Sequence, residues 1–143
     1  MLKTVLSPFA EKSYALLRIV TGLLFFFHGL QKIFGVQWIY PQSRPEFPSQ
    51  GWIGGLIELV TGFAIALGLF TRCAAFVASG TMAVAYWQFH VYLSKSSGSL
   101  RFNPVTNGGE LAAVYCFLFL YFACKGAGRW SIDSKREKAA TAA

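Results

Sequence analysis

The sequence predicts an all-α integral membrane protein: an antiparallel four-helix bundle with both termini in the cytoplasm. Three observations predict it. Hydrophobic residues make up 55% of the 143 residues and charged residues 13%, against roughly 25% charged in a soluble domain. The apolar residues gather into four long blocks instead of alternating or one-faced patterns, more than a soluble core of this size could bury. Lys and Arg also divide unevenly between the block ends. Nine of them (Lys3, Lys12, Arg18, Arg72, Lys125, Arg129, Lys135, Arg136 and Lys138) fall on one side and four (Lys32, Arg44, Lys95 and Arg101) on the other, the bias that marks a cytoplasmic face.

At this length there is room for one domain, a membrane domain over residues 1–133 followed by a basic, flexible tail over 134–143. The formal charge of +7 raises nucleic-acid binding. The basic residues sit at block ends and in the tail, however, where the positive-inside bias accounts for them, so no nucleic-acid partner is indicated. Cys73, Cys116 and Cys124 are odd in number and form no CxxC pair, which argues against a disulfide framework.

The first span is expected over residues 14–34. Two lysines precede it as in a signal peptide, but its apolar part runs into HGLQK with no small-residue cleavage site, so it reads as an uncleaved span. Gly22 and Gly29, seven apart, share a face on which a neighbouring backbone can approach. Gly35 to Gly51 carries Pro41, Pro45 and Pro48 and no helical pattern, a loop flanked by the interface aromatics Trp38, Tyr40 and Trp52. The second span, 52–70, contains Glu58. Only Thr71, Arg72 and Cys73 separate it from the third, 74–93, so the two form a hairpin. Ala75, Ser79 and Ala83 give the third span a small-residue packing face, and it ends in YWQFHVY with His90. After a Ser/Gly/Asn-rich loop, Asn107 is expected to cap the fourth span, with Glu110 in its first turn. That span is set at 110–127, running on toward Trp130 with Lys125 snorkelling. LLRIVTGLLFF from Leu16 faintly echoes LIELVTGFAIA from Leu56, aligning Arg18 with Glu58 and Gly22 with Gly62.

The pattern Arg18-x3-Gly22-x5-His28-Gly29-x2-Lys32, with GGLIELVTGFAIALGLFTRCAA from Gly54, NGGELA from Asn107 and GAGRWSID from Gly126, resembles the DoxX family of small four-span membrane proteins. The likeness covers roughly Arg18 to Asp133. The family takes its name from a small membrane subunit of an archaeal thiosulfate:quinone oxidoreductase, and other members are linked to oxidative or quinone stress. The resemblance implies the four-span fold and a redox or quinone-linked setting in the bacterial cytoplasmic membrane. With no soluble redox domain or Cys-rich cluster motif, the chain reads as an accessory subunit, working with a soluble redox partner, more than as a complete enzyme.

With the termini inside, each span delivers one ionisable residue toward the outer half of the bundle: His28, Glu58, His90 and Glu110, with Lys32 at i+4 from His28. Charges in lipid are costly and take partners whether or not they do chemistry, so one reading is local pairing of Glu58 with Lys32. Another is a ligand or proton-relay cluster of His28, Lys32, Glu58, His90 and Glu110, in which His and a shifted Glu exchange protons with a quinone head held against Trp87, Tyr86 or Phe27. A third is metal held by His28, His90, Glu58 and Glu110, or haem between the two histidines. At the cytoplasmic end Arg18, Arg72, Arg129 and Asp133 are expected to form a pairing layer, Arg18 with Asp133 or with the carbonyls ending span four, or else snorkelling to phosphate. A small transporter or channel, and a membrane anchor for a soluble partner, are the rival functions. Glycine faces also suit a homo-oligomer.

Overall fold

A computed structural model describes residues 2–35, 45–92 and 102–142. Trp38, Tyr40, Pro41, Arg44, Leu93, Lys95 and Arg101, named above in the loops and at a span end, lie outside the described residues. Among the described residues the chain is helical without strands. The main helices are α1 (Ala10–Phe34), α2 (Gln50–Leu67), α3 (Thr71–Ala85), α4 (Glu110–Lys125) and α5 (Ile132–Thr141). Short helical turns at Leu2–Leu6 and Ser7–Phe9 lead into α1, another at Pro104–Asn107 precedes α4, and α3 continues as a π-helix over Tyr86–Tyr92. The stretch from Leu2 to Phe34 and α2 are each long and apolar enough to cross a membrane.

Two antiparallel pairs, α1 with α2 and α3 with α4, are joined by the tight α2–α3 turn. The first pair packs backbone to backbone. A Cβ added at Gly22 would fall 2.5 Å from Ala66 N, at Gly62 2.4 Å from Phe26 N, and at Gly29 2.4 Å from Leu59 N. No side chain fits these positions, so glycine is what permits the approach. The Gly22 and Gly62 contacts mirror each other across the pair, the two positions that the sequence echo aligns. The second pair is stapled by Ser79 Oγ, which donates to Cys116 O at 2.8 Å. Phe25 of α1 reaches across to α4, its ring 4.6 Å from Phe119, which stacks on Tyr115 at 5.4 Å.

Ser49 caps α2, its Oγ accepting from Trp52 N–H at 3.2 Å. Gly68, with φ of 68°, ends it. The left-handed backbone there favours glycine, and a side chain would in any case meet Ser131 Cβ at 2.3 Å.

Three expectations differ from the structure. The fourth helix stops at Lys125 and does not run toward Trp130. Gly126 and Gly128 adopt φ of 89° and 64° and Trp130 adopts 54°, and Arg72 donates to the terminal carbonyls of Ala123 at 2.9 Å and Cys124 at 2.5 Å. The tail expected to be flexible over 134–143 is helical over Ile132–Thr141, and Ser131 Oγ, accepting from Ser134 N–H at 3.2 Å, caps that helix. Asn107 likewise does not cap α4; Gly109 takes that place, and Asn107 Oδ1 accepts from Gly109 N–H at 2.7 Å.

The outer surfaces of these helices are apolar. Val20, Leu24, Val60, Phe63, Phe76 and Phe117 are all half exposed or more, a continuous hydrophobic exterior of the kind that lipid covers.

Candidate functional site

At the end of the bundle remote from the α2–α3 turn, α1 and α2 bring an acid and a base together. Lys32, in the last turn of α1, donates to Glu58 Oε1 at 2.5 Å. Glycine makes this approach available: Gly55 stands opposite Lys32, where a Cβ would lie 2.6 Å from the lysine's own. The partners sit in unequal surroundings. The Glu58 side chain is 4% exposed and that of Lys32 38%, so the lysine reaches outward while the carboxylate stays buried. Glu58 Oε2 has no hydrogen-bond partner among the described residues, and leaving a buried acceptor unmet costs about 1–3 kcal/mol.

That oxygen belongs to a side chain lining two cavities. One, about 240 Å³, is bounded by His28, Lys32, Glu58, His90, Phe25 and Tyr115. The other, about 570 Å³, runs between α2 and α3 with its π-helical continuation and shares Lys32, Glu58, Met82, Ala85 and His90 with the first. His28 lies edge-on to Tyr115, ring centroids 6.4 Å apart. His90 arrives on the π-helix, a widened turn often found at functional sites, and its Nδ1 lies 3.3 Å from Asn107 O. Four of the five ionisable residues singled out in the sequence, His28, Lys32, Glu58 and His90, thus face one chamber.

Glu110 does not join them. It is exposed at the start of α4 and lines neither cavity. The inward face of α4 is Ala112, Tyr115, Phe119 and Phe122; at about 100° per residue, Glu110 points some 200° from Ala112. The four-residue metal set is therefore not assembled, and among the described residues no group of three or more His, Cys, Asp or Glu is placed to hold a metal ion. The aromatic neighbours also differ from expectation. Trp87 is 57% exposed and lines a separate surface hollow with Tyr92, Phe27 is exposed, and Tyr86 donates to Phe102 O at 2.5 Å. Phe25 and Tyr115 take their place in the chamber. Their spacing from other inward residues at three or four was the available signal.

At the opposite end the charged layer works through backbone groups. Arg18 is fully buried. It donates to Ile65 O at 2.6 Å and Ala66 O at 2.9 Å, in the last turn of α2, and to Trp130 O at 2.9 Å and Arg129 O at 3.3 Å. The expected Arg18–Asp133 pair gives way to two helix-end interactions. Arg18 meets the negative end of α2, while Asp133 accepts from Phe70 N–H at 2.9 Å and Thr71 N–H at 2.9 Å, at the positive start of α3. Burial alone would raise the Asp133 carboxyl. The bonds from Thr71 N–H, Thr71 hydroxyl and Phe70 N–H, with Arg136 nearby, outweigh it and hold the group below its ordinary value. Arg129 is exposed and contributes its carbonyl.

Residues 13–91, more than half of the chain and including His28, Lys32, Glu58 and His90, match the family model DoxX. The chain belongs to the DoxX family. DoxX proteins are small membrane proteins, in keeping with the apolar exterior. An uncharacterized protein of Haemophilus influenzae is 41% identical over 133 residues, which cover 85% of this chain and 88% of that relative. A second uncharacterized protein of the same organism is 29% identical over 134 residues, covering 88% and 84%. No solved structure matches the chain.

Proposed function

We propose that this DoxX protein is a four-span component of a redox or quinone-linked system in the bacterial cytoplasmic membrane, with both termini inside, and that its outer chamber binds the head of a quinone. The observation that carries the reading is Glu58: a buried carboxylate with one oxygen held by Lys32 and the other unpartnered, beside two histidines, at the inner end of an apolar groove. The nine-to-four division of Lys and Arg supports the orientation. Reducing a quinone to its hydroquinone takes two electrons and two protons. In this reading a separate redox partner supplies the electrons. His90 and His28 line the same chamber and place proton-carrying imidazoles beside the head, and Glu58 Oε2 accepts a hydrogen bond from the hydroquinone hydroxyl. Lys32 fixes the carboxylate rotamer through its bond to Oε1.

The test is a titration of the purified protein with a tail-less benzoquinone and its hydroquinone, followed by tryptophan fluorescence, in wild type and in Glu58→Gln. The reading expects saturable binding, with the hydroquinone's affinity weakened about tenfold or more in the variant, the cost of a charge-assisted hydrogen bond. No saturable binding in wild type, or equal binding in both proteins, would refute it.

A further inference from the structure

The groove between α2 and α3 holds a feature that helix packing does not explain. Most of the interhelical glycines are demanded by a backbone on the other side, yet a Cβ built at Gly54 or at Gly80 meets nothing within 4 Å. Both lie inside helices, where glycine is worse than alanine by roughly 1 kcal/mol, and neither has the positive φ that would require it. Both line the same groove of about 570 Å³, one from each wall. Its outer lips are Ile53 and Val84, each 53% exposed, and Phe89, 43% exposed. Its inner end is Glu58, 3% exposed, with Oε2 unpartnered. Gln50, which lines it, exchanges two amide hydrogen bonds with Gln88, at 2.5 and 2.6 Å. The volume falls within the roughly 300–1,000 Å³ of small-molecule sites.

A channel with apolar walls, an outward side among lipid-facing residues and a charged, hydrogen-bonding inner end fits one kind of molecule. We infer that the α2–α3 groove is a tail-binding subsite that admits an isoprenoid- or alkyl-tailed quinone sideways from the bilayer, with Gly54 and Gly80 keeping the tail channel open. The inference rests on the quinone reading of the chamber and adds the ligand's tail, its route and the residues that select for it. A Cβ at either glycine, both of which line the groove, meets no protein atom within 4 Å, so filling the groove and disturbing the fold are separable.

The experiment compares wild type, Gly54→Leu and Gly80→Leu in nanodiscs of zwitterionic phospholipid. Two probes are titrated, a decyl-tailed benzoquinone and the same head without a tail, and helicity and thermal unfolding are measured alongside. The expected result is a loss of about tenfold or more for the tailed probe, the order of the cost of overpacking a filled groove, with the tail-less probe unchanged in every protein. Unchanged binding of both probes in both variants overturns the groove while leaving the chamber standing. Equal losses for the two probes also overturn it, since the glycines would then act on the chamber. Failure of either probe to bind wild type removes the chamber reading and the inference with it. Depletion of a co-purifying phospholipid in the variants, with quinone binding untouched, would assign the groove to an ordinary lipid and contradict the inference.

Discussion

Alanine at position 29 tests the link between backbone packing and the candidate site. Its Cβ would fall 2.4 Å from Leu59 N and 2.6 Å from Leu59 Cα, whereas ordinary contact begins at 3.4 Å. The obstructing atoms are backbone, which cannot swing aside, so α1 and α2 must part by about 1 Å at this level. Overpacking of this kind costs about 1–3 kcal/mol. The damage reaches the site, because Lys32 lies three residues beyond Gly29 and Glu58 directly precedes Leu59. A separation of about 1 Å takes their 2.5 Å contact out of good hydrogen-bond range. Gly80→Ala is the matched control: its Cβ meets nothing, so it should be neutral or stabilising by up to about 1 kcal/mol. Unfolding in mixed micelles, followed by circular dichroism, should place the two variants on opposite sides of wild type or Gly29→Ala alone below it. Equal stability of Gly29→Ala and Gly80→Ala would refute the backbone-contact argument.

Other outcomes follow from the same contacts. Arg18→Met strands carbonyls of α2 and of the segment after α4 and should cost about 3 kcal/mol in the same unfolding assay; Arg18→Lys should recover only part, since one ammonium cannot span both pairs of acceptors. Lys32→Met should destabilise more than Glu58→Gln, by about 1 kcal/mol or more, because it strands the 4%-exposed carboxyl without its partner whereas the 38%-exposed Lys32 can turn outward. Equal losses would contradict that asymmetry. Asp133 sits below its ordinary value in the folded chain, so its contribution is present above the unfolded carboxylate range and is lost as pH falls through the folded value. Proteolysis of α5 should accelerate on acidification in wild type, while Asp133→Asn should be fast and pH-independent throughout that window.

The parts readable in the sequence are those fixed by local spacing. Gly22 and Gly29 share a face because they are seven apart, and both contact α2 as that face implies. The three-residue α2–α3 connection forces a hairpin whatever the rest does. Glu58 and Lys32 each needed a partner, and their depths from adjoining ends of neighbouring helices matched. Depth alone misled for Glu110, where two residues of helical phase turn a side chain outward. Arg18's acceptors could not be read, because they are main-chain carbonyls defined by where α2 ends and how the segment around Trp130 returns. Left-handed backbone at Gly126, Gly128 and Trp130 decided that return; the glycines signalled a break, yet the apolar run suggested continuity. The π-helix at Tyr86–Tyr92 has no compositional mark, since aromatic-rich YWQFHVY suits an ordinary helix equally well. It nonetheless sets where His90 faces.

The most direct test of the central claim, that Glu58 meets the ligand head, is an infrared difference spectrum recorded when a tail-less benzoquinone is added to the protein and then reduced. A Glu58 carboxylate touching the head should contribute bands that shift on binding and again on reduction, and those bands should vanish in Glu58→Gln while persisting in Gly80→Ala. Identical difference spectra from wild type and Glu58→Gln would contradict the account.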